Sequence, residues 1–134
     1  MGDSILLAVT PETHARLAAV LGGHDMAWAE SFDKVCAELD RRHFDLIVIG
    51  AHFQESTSFD VLRVAAAARP ASRIVCLRGV ATRTLLGKPS MDAFRAACEA
   101  LGAALVVDLL EYPDDAAGNA AVRALLEHQL ELVA

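Results

Sequence analysis

The 134-residue sequence has no apolar run approaching the roughly 20 residues needed to cross a bilayer. This holds although its mean hydropathy is +0.36. The apolar excess lies in short runs and in alanine, which suits close-packed helices. A basic excess is missing too: the formal net charge is −6 and the pI about 5.2. Duplex-binding surfaces gather lysine and arginine against phosphates, so nucleic acid is not expected as a direct partner. No lysine-rich amphipathic stretch offers a helix for a membrane surface. The opening MGDSILLAVT has an acid and no basic segment before its apolar run, so it reads as a first strand and not as a signal peptide. Cysteine is scarce and odd in number. Cys36, Cys76 and Cys98 lie far apart and are expected to be reduced core residues of a cytoplasmic protein.

What the chain does have is alternation. β-type runs are expected over 4–9, 25–30, 44–50, 73–77 and 104–109, each followed by a helical pattern. Thr10-Pro11-Glu12 combines a cap, a first-turn proline and an early acid, and Gly22-Gly23 stops that helix. Ser31, Ser58 and Ser90 can cap the next three helices, and Pro113-Asp114-Asp115 opens the last. FDLIVIG (44–50) is a continuous β-branched run, the signature of a strand buried on both faces. Five βα units with short links require right-handed crossovers and a parallel sheet. The expected fold is therefore α/β, one domain over 1–134 with a doubly wound five-stranded parallel sheet of the flavodoxin type. Ligands of such sheets sit at the strand C-terminal ends, here Val9-Thr10, Gly50, Arg78 and the Leu109–Tyr112 region.

The stretch FDLIVIGAHFQESTSFDVLRVAAAARPASRIVCL resembles the receiver domain of two-component response regulators, the CheY-like family. Asp45 leads a strand that runs to Gly50, and Ser58-Phe59 opens a helix at the family's spacing. SILLAVT resembles the first strand, and Leu101-Gly102-Ala103 the turn before the fifth. The resemblance implies strand order 2-1-3-4-5. It also implies an acidic pair for Mg²⁺, a phospho-accepting aspartate, a hydroxyl residue and a lysine. Val9 and Thr10 stand at the acidic pair, Gly50 at the aspartate and Arg78 at the hydroxyl residue. By direct counting Leu109 stands at the lysine, and a shifted register gives Tyr112-Pro113 instead. Forming an aspartyl phosphate takes a carboxylate nucleophile and a cation held by hard oxygen ligands. The chain is thus expected to be a pseudo-receiver with no cofactor and no metal. Arg78 either fills the vacated pocket as a fixed cation or points to solvent.

Two other groups of residues stand out. The connection Arg78–Ser90 gathers Arg78, Arg83 and Lys88 as a candidate anion-binding loop, although its glycine spacing is not that of a Walker loop. His52 and Glu55 lack the further ligands a metal site needs. In the last helix Asn119, Arg123, Glu127 and Glu131 make a narrow polar stripe. Ala117, Ala121, Leu125 and Leu132 are expected to face the sheet. Val122, Leu126, Leu130 and Val133 are the candidate interface. Two functions follow. The first is a non-enzymatic signalling module acting through a protein partner, as a homodimer, either standing alone or as a piece of a longer regulator. The alternative is a flavodoxin-like domain binding a small phosphorylated ligand through the Arg78–Ser90 loop.

Overall fold

The computed structural model describes residues 4–51, 53, 57–68, 72–79 and 88–132. Strands β1 (Ser4–Ala8), β2 (Asp25–Trp28), β3 (Leu46–Gly50), β4 (Arg73–Arg78) and β5 (Leu105–Asp108) alternate with helices α1 (Pro11–Val20), α2 (Phe32–Arg41), α3 (Ser58–Ala68), α4 (Lys88–Ala100) and α5 (Ala116–Glu131). A single 3₁₀ turn, Leu109–Glu111, follows β5. All four strand pairings are parallel, as the alternation demanded, and the sheet order is 2-1-3-4-5, as the resemblance implied.

Every residue of β3 is buried, as its unbroken apolar run requires for a central strand. Alternate side chains feed two separate cores. Ile47 and Ile49 pack on the side that carries α2, α3 and α4, with Val35, Leu62 and Phe94. Leu46 and Val48 pack on the side that carries α1 and α5, with Leu17, Val122 and Leu126. The two edge strands, β2 and β5, are the shortest. On β5 the Arg95 guanidinium covers part of the free edge by donating to the Val106 carbonyl at 2.8 Å.

The helix starts depart from expectation in instructive ways. Ser31 caps α2 as anticipated, accepting from the Lys34 amide at 3.2 Å. Thr10 takes the N-cap backbone position of α1, but its hydroxyl donates to Thr13 Oγ1 instead of accepting from an amide. Ser58 is no cap: its hydroxyl donates to the Gly50 carbonyl at 2.6 Å and to the Ala51 carbonyl at 3.1 Å, tying α3 to the end of β3. α4 begins at Lys88, two residues before the proposed cap Ser90.

α5 overturns the expected assignment of faces. Val122 and Leu126 are 1% exposed and Leu130 is 7% exposed, all three packed in the α1/α5-side core. They form this helix's own contact with the sheet and not an interface; Val133 lies outside the described residues. Ala117, Ala121 and Leu132, expected to face inward, are exposed, and Leu125 is half-buried. The reason is the polar stripe. Three of its residues, Asn119, Arg123 and Glu127, engage α1 and the turn after it, while Glu131 is exposed. Asn119 Oδ1 accepts from Arg16 Nε at 2.9 Å, and Arg123 Nη1 donates to the carbonyls of Val20 and Gly22 at the end of α1. Glu127 Oε2 lies 2.9 Å from His24 Nε2 and 3.0 Å from Arg123 Nε. The His24 hydrogen bond leads the effects that hold the Glu127 carboxyl below the usual range.

α5 enters the fold through a close approach. Asp115 caps it by accepting from the Gly118 amide at 2.8 Å. A Cβ on Gly118 would sit 1.9 Å from the Pro113 carbonyl oxygen and 2.8 Å from its carbon. Alanine ordinarily gains about 1 kcal/mol over glycine inside a helix. Here the clash is with backbone, so Gly118→Ala is expected to cost about 2 kcal/mol net in urea unfolding. An unchanged midpoint would show that the Pro113 corner yields freely.

Candidate functional site

The strand register lines up the C-terminal ends of β1, β3, β4 and β5. Ala8 pairs with Ile49, Gly50 with Leu77, and Arg78 with Asp108. This is the edge where doubly wound sheets bind ligands. Its contents here are largely apolar. Val9 is 1% exposed and belongs to the α1/α5-side core. A Cβ on Gly50 would lie 3.5 Å from both Val9 Cα and Val9 Cγ1, so the two residues are already neighbours at ordinary packing distance. Leu109 is likewise a core residue, 1% exposed, at the start of the turn after β5.

The rim above Val9 is built from α1, β2 and the chain after β4. Trp28 Nε1 donates to the Val9 carbonyl at 3.0 Å, and the His14 ring stacks on the indole with centroids 4.0 Å apart and planes 5° from parallel. Thr13 is buried, and a Cβ on Gly79 would lie 2.2 Å from its Oγ1 and 3.0 Å from its Cγ2. Only glycine lets the chain leaving β4 run this close to α1.

Among the described residues, charge enters the site through an ion pair. Arg78 Nε donates to Asp108 Oδ1 at 3.0 Å and Nη2 to Oδ2 at 2.5 Å, a two-pronged contact between neighbouring strand ends. The Arg78 side chain is 13% exposed and that of Asp108 6%. Asp108 Oδ1 also accepts from the Leu110 amide at 3.1 Å, so the same carboxylate caps the 3₁₀ turn. Its hydrogen bond leads the effects that raise the Arg78 pKa; burial opposes, and the fields of Asp108 and Glu111 add to the rise. A buried carboxylate is costly without a partner, and this one accepts from the Arg78 guanidinium and the Leu110 amide.

The sequence reading missed Asp108. It set Arg78 either in the vacated pocket or in solvent; the structure pairs it with Asp108 at the strand-terminal edge, with a side chain only 13% exposed. The available signal was register: Arg78 and Asp108 end adjacent parallel strands, and alternation puts both side chains on one face. Arg16 was missed as well. From α1 its guanidinium donates to the carbonyls of Leu109 at 3.2 Å, Tyr112 at 2.8 Å and Pro113 at 3.1 Å, pinning the whole corner between β5 and α5.

Of the candidate anion-binding loop, Arg78 is engaged with Asp108, while Arg83 and the side chain of Lys88 lie outside the described residues, as do His52 and Glu55. Among the described residues, no group of three or more His, Cys, Asp or Glu side chains could hold a metal ion. No helix among them is long and apolar enough to cross a membrane.

No protein-family model matches the chain, and no curated protein does. Solved structures match it over nearly its whole length. A response regulator from Thermotoga maritima superposes with a TM-score of 0.74 at 13% identity, covering 98% of this chain and 99% of the other. NtrX from Brucella abortus, in complex with ADP, gives 0.78 at 17% identity over 99% of this chain, which spans only 28% of the NtrX chain. A response regulator protein from Burkholderia pseudomallei, carrying a phosphorylated aspartic acid, gives 0.68 at 16% identity, with 98% and 71% covered. At such identities the likeness is one of fold, and the fold of this chain is that of response regulator receiver domains.

Proposed function

We propose that this protein is a non-enzymatic signal-transduction module that works through protein–protein contact, as a homodimer, without phosphorylation at its strand-terminal edge. The observation that carries the reading is the Gly50–Val9 contact. The position where the resemblance places a phospho-acceptor has no side chain, and its neighbour is a buried valine. Phosphoryl transfer to carboxylate has no nucleophile there, and Mg²⁺ has no hard oxygen ligand from Val9. The one carboxylate at a described strand end near this edge, Asp108, is held by Arg78.

A switch without a phosphoryl group has nothing to tip its two-state balance except its own sequence and whatever binds it. The Arg78–Asp108 pair supports a fixed setting, since it bridges the ends of β4 and β5. The contact surface is the outward face of α5, Ala117, Ala121 and Leu132, with Leu132 50% exposed.

The test is incubation with magnesium and acetyl phosphate, or with beryllofluoride, followed by intact mass and thermal melting. Neither a mass increase of one phosphate nor a shift in Tm is expected. Gly50→Asp, whose new Cβ meets Val9 only at van der Waals distance, is expected to fold and to remain unphosphorylated, because the cation ligands are still missing. Stoichiometric phosphate on the wild-type chain would end this reading.

A further inference from the structure

The two free edges of the sheet differ. On β5 the Arg95 guanidinium donates to the Val106 carbonyl. On β2, among the described residues, no side chain does the same. The Ala29 amide donates to the Leu7 carbonyl at 3.0 Å, and Ala29 follows a register in which Trp28 pairs with Leu7. Main-chain direction alternates along a strand, so Asp25, Ala27 and Ala29 turn their amides and carbonyls to β1, and Met26 and Trp28 turn theirs outward. No hydrogen bond among the described residues takes up these outward groups. The strand, DMAW, has neither the lysine nor the proline that commonly blunts an edge. It also has an apolar shelf. Met26 and Trp28 are half-buried on the α1/α5 side, and the indole is held in place by the Val9 carbonyl and the His14 ring.

We propose that the β2 edge takes up, as an added strand, an extended segment of a different protein, with basic residues at its ends and apolar residues over Met26 and Trp28. Charge selects this occupant. An acid stands at each end of the edge: Asp25 is 58% exposed even beside its partner Arg42, and Glu30 is exposed with no ion pair among the described residues. A second copy of the chain fits poorly. A two-fold axis would pair two β2 strands antiparallel, bringing Asp25 of one copy opposite or next to the position facing Glu30 of the other. Like charges so placed destabilise a strand pair, and each copy carries a net charge of −6. A basic strand meets the same two acids with the opposite sign.

β2 has four residues, so the added strand is short and its affinity modest. Main-chain hydrogen bonds to Met26 and Trp28 supply the attachment, and the exposed acids make it sensitive to salt. The surface is separate from the outward face of α5, so a chain made monomeric by Leu132→Glu is expected to bind the strand as the parent does.

The probe is a short acetylated and amidated peptide of alternating threonine and valine with lysine at each end, added to the full chain. Trp28 is the only tryptophan, so its fluorescence reads the titration, and amide NMR shifts locate the contact. Expected are saturable binding and shifts led by the Met26 and Trp28 amides. A twin peptide with glutamate at its ends is expected to bind about tenfold more weakly, and Glu30→Lys to weaken the lysine-ended peptide about fivefold. A twin N-methylated at its valine amides is expected not to bind. Met26→Pro removes an outward amide and leaves the ladder to β1 intact, so it is expected to keep its Tm within a few degrees and lose the peptide. Should that variant fold poorly, the N-methylated twin makes the same test on the parent chain. No binding of the lysine-ended peptide would overturn the proposal. So would equal binding of the N-methylated or glutamate-ended twin, or Met26 and Trp28 amides that shift with chain concentration alone, the mark of a second copy on this edge.

Discussion

Leu126→Glu is expected to unfold the domain and not to dissociate a complex. The side chain is 1% exposed in the core between α5 and the sheet, packed with Leu17, Val48 and Val122. The substitution removes a buried leucine and inserts a carboxylate with no partner, two terms that together cost on the order of 4 kcal/mol or more. A domain whose whole stability is about 5–15 kcal/mol cannot absorb much of that. Urea unfolding followed by circular dichroism measures the loss. Ala121→Glu and Leu132→Glu on the opposite, outward face are expected to shift stability by no more than about 0.5 kcal/mol. Light scattering on these two variants reads the dimer directly: they are expected to be monomers at concentrations where the parent chain is a dimer. A dimer unchanged in both would remove α5 as the contact surface, and a well-folded Leu126→Glu would contradict the packing of the helix.

Arg78→Ala carries the second large effect. It strands Asp108, 6% exposed, at the end of β5, with the Leu110 amide as its remaining donor among the contacts described above. Breaking a buried pair from one side typically costs about 3–5 kcal/mol. Replacing both members, Arg78→Met with Asp108→Leu, leaves no charge stranded and is expected to recover most of the loss, short of about 1 kcal/mol for the turn cap. A double-mutant cycle by urea unfolding separates these terms. Additive single and double losses would show that the two side chains do not depend on each other, and the fixed bridge between β4 and β5 would fall with that result.

The fold was legible because it rests on strong, redundant signals. FDLIVIG had to be a central strand, and five alternations left a parallel sheet as the only economical arrangement. Val9 and Gly50 stand where the resemblance expects carboxylates, and residue types alone make that readable. The wheel of α5 was not. Its apolar residues cover so wide an arc that hydrophobicity alone does not say which part faces the sheet. The narrow polar stripe does not name its partners either: Asn119, Arg123 and Glu127 serve Arg16, two carbonyls ending α1, and His24. Partners about a hundred residues away in sequence leave no local mark. The same holds for Arg78: a lone arginine at a strand end looks free until strand register sets Asp108 beside it.

The Arg16 contacts have a mechanical corollary. One guanidinium on α1 grips three successive-corner carbonyls, at Leu109, Tyr112 and Pro113, and the far half of α5 is gripped again through Arg123 at the other end of α1. Fastened at both ends, the two helices move as a rigid plank. A protein that tilts α5 by leaning on its outer side must therefore lever α1 as well, delivering the displacement to the opposite margin of the sheet, where Trp28 rests against His14.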